Sequence, residues 1–491
     1  MADRPKPLPA GAVFCFRLGL PPLGYVIESR IRPAFPGGNS SIQVRLMQRK
    51  ENRYGETAAR EGKSGLRAVF TATEREKGYF HHRDSADKKN AGFDSQTWLL
   101  LIVNGLFAAA NALSGTFVNV YLWKVKNDFA LIGWFAFAHQ VTMGLTFWLA
   151  GKWVKEHNKM HSLRLGVAIA ALFYSLVLLL QQQAVDYVWL LGIVQGLSSG
   201  FFWLAFNVVY FEVTSADNRD RFNGWAGLLG SGAGMIAPWI SGWLITRLPG
   251  TSGYRLIFAI SLGIFVVGVV VSFFLRKRKV SGKYEWAHGY RSLAKRGSPW
   301  QRVFAALIAQ GIREGVFGFL IGLMVYIATS NEMRIGNFSL ATSAVALVSF
   351  YIVGKWLKPA YRKRGMLIGV IMMIAVILPF FWKVNYTTLL LFGIGVALFI
   401  PLYIVPMTSS VFDIIGQDRE SAEHRVEYVV LRELGLNFGR MFGTLAFILV
   451  VSWTTAPAAI NWLLLGVGSS PLLAWALMRD KLTPAQSGKS R

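Results

Sequence analysis

Cysteine and charged residues are both scarce in this sequence of 491 residues. The single cysteine, Cys15, excludes an internal disulfide framework and a cysteine-based zinc site, since each needs more than one thiol. Only 16% of the residues are charged, against about 25% in soluble domains, while 53% are hydrophobic. No nucleotide-binding fingerprint stands out, which argues against ATP hydrolysis by this chain. Together these features are typical of a membrane protein.

Acidic residues are half as numerous as basic ones, which gives a formal net charge of +26. The basic residues lie mainly in tails and loops between apolar segments, which favours contact with an anionic inner leaflet over binding of nucleic acid. Residues 276–302 carry nine Lys/Arg and one acid, Glu285. So many like charges must stay in water, and such an excess marks the cytoplasmic side of a membrane protein. This run therefore predicts a cytoplasmic linker between two membrane halves.

The apolar segments divide the chain into five parts. The N-terminal tail is polar and charge-rich and has no apolar core long enough for a signal peptide, so we expect it to be disordered and cytoplasmic. Met47 is an alternative to Met1 as the initiator. The predicted parts are the tail (1–97), a first six-span bundle (98–275), the basic linker (276–302), a second six-span bundle (303–478) and a cytoplasmic C-terminal tail (479–491).

Twelve apolar segments are each close to the ~20 residues that cross a bilayer. An even number puts both termini on one side. The loops on the linker side carry 22 Lys/Arg and the loops on the other side carry six, which predicts a multi-pass protein of the cell (inner or plasma) membrane with both termini cytoplasmic. The predicted spans are 98–122, 130–151, 162–181, 186–211, 222–247, 254–275, 303–328, 338–357, 366–382, 387–411, 426–451 and 457–478.

The two halves contain an internal repeat. The sequence Gly-Lys-Trp-Val-Lys closes the second span at 151–155, and Gly-Lys-Trp-Leu-Lys closes the eighth at 354–358, which is 203 residues later. Arg221, Gly230 and Gly234 of the fifth span recur in the eleventh as Arg425, Gly435 and Gly439, at offsets of 204 and 205. Six spans followed by six parallel ones is a known transporter plan.

Three motifs resemble those of the major facilitator superfamily, over roughly residues 98–478. The first, after the second span, has Gly followed four residues later by an acid. Gly151 and Gly354 fit, but Lys155 and Lys358 stand in the acid position. The family uses this loop as a cytoplasmic latch between helices. Glu156, or Asp217 and Asp220, are alternatives for the missing acid, and a merely solvated basic loop is the other reading.

The second motif lies in the fourth span, where 195–200 (Gln-Gly-Leu-Ser-Ser-Gly) fits its end but Gly192 occupies the family's arginine position. The third, in the fifth span, is similar to that of proton-driven exporters. It reads Gly224, Ala233, Ala237-Pro238 and Ser241-Gly242, with Ala or Ser in place of some glycines. Small residues with a proline suit a helix that bends at a moving interface. The residues expected at such interfaces are Gly151, Gly354, Gly224, Gly234, Pro238 and Gly242.

Polar residues at membrane depth mark a candidate substrate or coupling cavity. Arg313 lies ten residues into the seventh span, about 15 Å along a helix, and Glu314 follows it. Charge in hydrocarbon is unfavourable and by default indicates function, whereas single Asn or His residues serve equally well to hold helices together. The candidate residues are Arg313, Glu314, Gln310, Asn104, Asn111, Trp203, Asn207, Tyr210, Glu433, Asn437 and Arg440.

The resemblance implies an all-α polytopic membrane protein of twelve transmembrane helices, arranged as two six-helix parallel repeats. It also implies a secondary transporter that moves a small molecule by alternating access. The sequence favours proton-linked export, with no cofactor, no metal and no enzymatic activity, by a monomer. Trp203, Phe317 and Tyr403 would suit an amphipathic substrate. The alternatives are a uniporter or symporter for a polar nutrient, and a receptor or scaffold derived from a transporter.

Overall fold

The computed structural model describes residues 93–213, 219–276, 282–415 and 423–482. The predicted disorder of the tail, the choice between Met1 and Met47, and the possible latch acid Asp217 all lie outside these residues. The described chain is helical throughout, without a strand, and twelve of its helices are long and apolar enough to cross a membrane. The predicted all-α, twelve-span architecture is confirmed.

We number the twelve long helices in chain order. In the first half they are α1 (Ser95–Lys126), α2 (Phe129–Glu156), α3 (Lys159–Leu180), α4 (Val188–Val213), α5 (Arg219–Arg247) and α6 (Ser252–Phe273). In the second half they are α7 (Pro299–Thr329), α8 (Glu332–Trp356), α9 (Arg362–Ala375), α10 (Tyr386–Ile415), α11 (Arg425–Trp453) and α12 (Pro457–Met478). A short linker helix, His288–Ala294, lies between the halves in the chain.

Most helices extend beyond the predicted spans, because backbone hydrogen bonding continues into the polar turns on either side of an apolar stretch. The ninth span is different. The sequence predicts one continuous helix over 366–382, but the ninth spanning segment, Pro359–Phe381, consists of α9, which ends at Ala375, with a turn of 3-10 helix before it (Pro359–Tyr361) and another after it (Leu378–Phe381). Pro379 lies in the first turn of the later 3-10 helix, where its missing N–H and fixed ring are tolerated as they are not inside a helix.

Side chains cap several of the helices at the short connections. Asp128 accepts hydrogen bonds from the backbone N–H of Ala130 (2.8 Å) and Leu131 (3.3 Å) at the start of α2. Asn158, Ser298 and Asn331 do the same for α3, α7 and α8. Each cap satisfies backbone donors that the first turn of a helix leaves unpaired, and fixes where the next helix begins.

The two halves meet along two main helix pairs, α2 with α11 and α5 with α8, with a smaller contact between α1 and α7. Gln140 of α2 accepts a hydrogen bond from Thr444 of α11 (2.9 Å) and donates to the carbonyl of Gly315 on α7 (3.3 Å). On the other side, Ser343 of α8 donates to the carbonyl of Gly234 on α5 (3.3 Å). Helices from both halves therefore surround one central region.

Candidate functional site

Helices α7 and α11 approach each other closely through glycines. A Cβ atom added at Gly311, Gly439 or Gly443 would overlap a backbone carbonyl of the facing helix, and one at Gly315 would overlap the backbone of Arg440. Glycine at four-residue spacing on facing helices is what permits such an approach in a membrane. This packing brings the side chains of Glu314 and Arg440 within reach of each other.

Glu314 is held between a cation and an amide. Its Oε2 accepts from Arg440 Nη2 (2.8 Å) and Nε (3.2 Å), and its Oε1 accepts from Gln310 Nε2 (2.7 Å) one helical turn earlier. Arg440 also donates to Asn437 Oδ1 (3.4 Å), whose own amide donates to the carbonyl of Glu433 (2.9 Å). The Glu314 side chain is 29% exposed, so it also faces open space.

Arg313 has a different environment from its neighbour. Only 7% of its surface is exposed, and it makes no hydrogen bond or ion pair to any residue that the structure describes. Its guanidinium lies over the ring of Phe317, 4.7 Å from the centroid. A cation–π contact of this kind contributes about 0.5–2 kcal/mol, which does not offset the several kcal/mol needed to bury a charge. Within the described chain Arg313 is therefore a buried cation without a hydrogen-bonded counter-ion, and Glu314, the carboxylate that acts on it electrostatically, is already paired with Arg440.

Glu314 and Arg313 line a cavity of about 300 Å³ between the halves. That volume is at the lower end of the range for small-molecule sites, ~300–1,000 Å³. The first half contributes α1 and α5, and the second contributes α7, α8, α10 and α11. The polar lining residues are Thr116, Ser231, Gln310, Arg313, Glu314, Ser339, Thr342, Ser343, Tyr403, Arg432 and Arg440.

Of the predicted site residues, four line this cavity, namely Gln310, Arg313, Glu314 and Arg440. Glu433 and Asn437 lie directly behind it on α11. The Glu433 carboxylate accepts from its neighbour Arg432, and Asn437 accepts from Arg440. Neither Glu433 nor Asn437 lines the cavity. Through these hydrogen bonds they hold Arg432 and Arg440, which do line it.

The predicted residues of the first half do not line the cavity. Trp203 packs among Phe107, Phe202 and Phe206, with ring centroids 4.9–5.7 Å apart, and Tyr210 packs on Phe222. Asn111 donates to the carbonyl of Phe107 on its own helix, and Asn104 and Asn207 are buried.

The predicted interface residues fall into two groups. Close contacts between the halves involve Gly242, where an added Cβ would lie 2.6 Å from the Glu332 carbonyl, and Pro238, whose carbonyl faces Gly336. Gly151 belongs with them, because an added Cβ would lie 3.1 Å from Val430 of α11. Gly234 lines the cavity. Gly224 has open space around it, and for Gly354 the structure gives only partial burial.

Close packing between α4 and α2 explains why residue 192 is a glycine, where the family has an arginine. An added Cβ at Gly192 would lie 2.7 Å from both Ala138 Cβ and the Phe135 carbonyl of α2. Gly196 and Gly200 make equally close approaches to α2 further along α4. A long side chain at 192 would separate these two helices.

The first motif forms a latch with its charges reversed. Lys155, in the acid position, donates to Glu427 Oε1 of α11 at 2.5 Å, and both side chains are almost fully buried. The same oxygen accepts from the backbone N–H of Glu285 in the linker (3.1 Å). Burial and the Glu427 carboxylate raise the pKa of the Tyr284 phenol, so it stays neutral where it packs on Gly151. Glu156 accepts from the Tyr284 backbone N–H (2.9 Å) and does not replace the missing acid.

A second ion pair joins the halves at the opposite end of the helices. Lys124 of α1 lies 2.9 Å from Glu332 at the start of α8, and Tyr254 of α6 donates to the same carboxylate oxygen (2.8 Å). The two ion pairs are contributed by different helix pairs. Each end of the molecule therefore has its own charged contact between the halves.

One group in the described part of the chain has donor atoms spaced as metal ligands would be. Glu285 and His288 of the linker and His424 at the start of α11 offer atoms within 4.8 Å of one another. The group is partly exposed and lies at the latch end, away from the cavity. Sequence reasoning missed it because His424 is far in the chain from Glu285 and His288 and is brought to them only by the fold.

Comparison with known proteins agrees with this architecture. The family profile described as Major Facilitator Superfamily matches residues 100–422. "Uncharacterized protein YqgE" of Bacillus subtilis (strain 168) is 38% identical over 371 residues, which is 75% of this chain and 86% of that protein. "Uncharacterized protein in sodM 3'region" of Geobacillus stearothermophilus is 44% identical over 160 residues, 33% of this chain and 75% of that protein.

Similar solved structures share the fold at low identity. An outward-facing bacterial homologue of the iron transporter ferroportin has a TM-score of 0.55 at 17% identity, covering 79% of this chain and 99% of that one. The nucleoside transporter NupG has a TM-score of 0.58 at 14% identity, covering 78% of this chain and 98% of that one. With twelve spanning helices, two halves around a central cavity and a family match over most of those helices, the chain belongs to the major facilitator superfamily.

Proposed function

We propose that this chain is a proton-linked secondary transporter that moves a small molecule by alternating access. It acts as a monomer in the cell membrane, with both termini cytoplasmic and its basic loops beside the anionic inner leaflet. Membership of a transporter family supports the class of function. The structurally similar transporters are described for iron and for nucleosides, which are chemically unlike. Similarity of fold therefore does not indicate the substrate of this chain.

The observation that carries the proposal is the position of Glu314. Its carboxylate faces the cavity while it is paired with Arg440 of α11. A nearby cation favours the charged form of a carboxyl, and desolvation favours the protonated form. Helices α7 and α11 belong to the same half and interlock through glycines, so motion of the halves changes the access of water to Glu314 and not its distance from Arg440. We propose that this carboxylate links proton movement to the conformational change.

The test is the substitution Glu314→Gln, which removes titration but keeps size and hydrogen bonding. A screen of ligands that raise the melting temperature in detergent supplies the solute. Flux of that solute into proteoliposomes is then measured against internal pH. We expect the Gln variant to lose pH-driven flux and to retain binding or exchange of the solute.

Asp413→Asn is the matched control, because Asp413 also pairs with an arginine of the second half, Arg362 at 2.9 Å, but does not line the cavity. The control variant should keep the wild-type pH profile. If Glu314→Gln also keeps that profile when folded, Glu314 is not the coupling group and its role is structural.

For direction we propose export, on the α5 pattern that is similar to that of proton-driven exporters. Gly234, Pro238 and Gly242 of α5 do meet α8 of the other half, as a helix at a moving interface should. Proton–solute symport is the second candidate, favoured by Arg313. An anion bound near Arg313 would favour protonation of Glu314, so proton and solute would bind together.

Inside-out vesicles separate the two directions. With an acidified lumen, an exporter that exchanges protons for solute accumulates the solute inside. A symporter releases preloaded solute under the same gradient.

A further inference from the structure

Five residues that line the cavity each have a buried polar atom with no hydrogen-bond partner among the described residues. The atoms are Ser231 Oγ, Arg313 Nε, Ser339 Oγ, Tyr403 Oη and Arg432 Nε. Their side chains come from five different helices, and each residue is more than nine-tenths buried. Buried polar groups are normally paired, so each exception needs an explanation. Unpaired polar atoms also occur elsewhere in the described chain, but these five belong to residues that converge on one cavity from five helices, which indicates a polar ligand there.

All five atoms can donate a hydrogen bond, and the two arginine atoms can do nothing else. The arginine atoms require acceptors, and the three hydroxyls can donate to an acceptor as well, so a ligand rich in acceptors satisfies all five. The amide or hydroxyl groups of a neutral polar solute would bring donors into a region that already has an excess of them.

The charges around the cavity lead to the same chemistry. Arg440 is paired with Glu314, and Arg432 is paired with Glu433 behind the lining. Arg313 has no hydrogen-bonded counter-ion among the described residues, and Glu314, the carboxylate that acts on it electrostatically, is already paired with Arg440. One negative charge beside Arg313 would therefore balance the charges around the cavity. It would also offset the unfavourable free energy of burying the arginine.

We propose that the cavity binds a small organic monoanion whose carboxylate or phosphate group is held by Arg313, with Tyr403 and Ser339 completing its hydrogen bonds. Guanidinium groups suit both of these anions because their planar donors match two oxygens at once. The proposal rests on the proposed function as a transporter, because it names the class of its substrate. It does not depend on proton coupling or on direction.

The remainder of the cavity fits an apolar body on that anion. Phe317 and Phe392 lie beside each other, with ring centroids 5.6 Å apart, and both line the cavity. Ile321, Val396 and Ile400 extend the apolar wall. A volume of about 300 Å³ accommodates a ring or a short chain in addition to the charged group.

The test uses the full-length protein in detergent and follows its melting temperature with two series of probes at fixed pH. One series contains carboxylates such as benzoate and hexanoate, and the other contains singly charged phosphate diesters such as methyl phenyl phosphate. Each probe has a neutral partner, such as benzamide or phenol. We expect one anion series to raise the melting temperature and the neutral partners to leave it unchanged. The series that acts distinguishes a carboxylate from a phosphate.

The variant Arg313→Gln should lose this stabilisation by anions, and without any probe it should melt at or above the wild-type temperature, because an uncompensated charge has been removed. Arg334→Gln is the matched control. Arg334 also lies over an aromatic ring, Tyr386, but it is exposed and lies outside the cavity. The control should keep the anion effect unchanged.

Four results would overturn the proposal. The first three are the absence of stabilisation by any anion, equal stabilisation by anions and neutral partners, and an anion effect that survives Arg313→Gln. A lower melting temperature of Arg313→Gln without probes would mean that the arginine is structural, and would also count against it. If the proposed proton coupling were wrong and the anion proposal right, anion binding would remain while pH-driven flux was absent.

Discussion

Arg440 and Glu314 illustrate what a buried ion pair requires of its neighbours. Two nitrogens of the guanidinium donate to one carboxylate oxygen, and Gln310 donates to the other oxygen. Arg440→Gln would leave the carboxylate without its cation, with an expected loss of stability on the order of 2 kcal/mol. The double variant Arg440→Gln/Glu314→Gln should recover most of that loss. Melting temperatures of the two single variants and the double variant give the coupling directly. Additive effects of the two substitutions would contradict the pairing.

The sequence predicted Arg313, Glu314 and Arg440 because a charge within an apolar span stands out from its surroundings, and all three line the cavity. It did not identify their partners. Adjacent residues on a helix point in different directions, and which helices face each other is a tertiary property. Asn104, Asn111 and Trp203 were predicted on the same criterion and lie away from the cavity, because polar and aromatic side chains also pack helices together.

At the scale of single helices, α5 offers an internal comparison. Gly242 faces the Glu332 carbonyl of α8, whereas Gly224 has nothing within 4 Å of an added Cβ. Gly242→Leu should therefore separate α5 from α8 and lower the melting temperature, with an overpacking loss of about 1–3 kcal/mol. Gly224→Leu adds the same side chain to the same helix and should have little effect. Equal losses in the two variants would mean that a helix-wide effect, not the contact with α8, is responsible.

Helix positions were predictable because a bilayer fixes the length of apolar segments. Which helices pack against each other was less predictable. The glycines of α7 and α11 that bring Glu314 to Arg440 are spaced four residues apart, but such spacing also occurs in α4, where it packs against α2. The sequence therefore indicates a close helix contact without indicating its partner.

At the scale of the whole molecule, Lys155 and Glu427 join the halves at the linker end. Lys155→Glu or Glu427→Lys alone would place two like charges in a buried site, and each should lower stability by roughly 3–5 kcal/mol. The exchange Lys155→Glu/Glu427→Lys restores opposite charges and should restore part of the loss. Melting temperatures of the three variants check this. No recovery in the double variant would show that the contact depends on more than charge.

The ion pair between Lys155 and Glu427 was not predicted, although the sequence marked the first motif as the position of a latch. The sequence showed a lysine where the family has an acid, and the search for a substitute acid considered Glu156 and nearby loops. The partner is Glu427, 272 residues away on the other half. A contact of that separation follows from how the halves dock, which motif spacing does not reveal.

The orientation of the molecule is a separate prediction. The linker helix exposes Tyr290, and Lys383 is exposed at the opposite end of the second half. In a Cys15→Ser background, Lys383→Cys should react with a membrane-impermeant thiol reagent added to intact cells, and Tyr290→Cys should not. Labelling at 290 from outside would reverse the topology.

The central claim is that the two halves move around the cavity and that Glu314 couples this motion to protons. Two spin-label pairs in the Cys15→Ser background test it, His157 with Lys358 at the linker end and Lys126 with Lys383 at the opposite end, all exposed positions. Distances are measured by pulsed electron paramagnetic resonance at acidic and alkaline pH. We predict that one distance lengthens as the other shortens, and that Glu314→Gln abolishes the response to pH. Distances that stay fixed in the wild-type background, or that change in the same direction at both ends, would contradict the account.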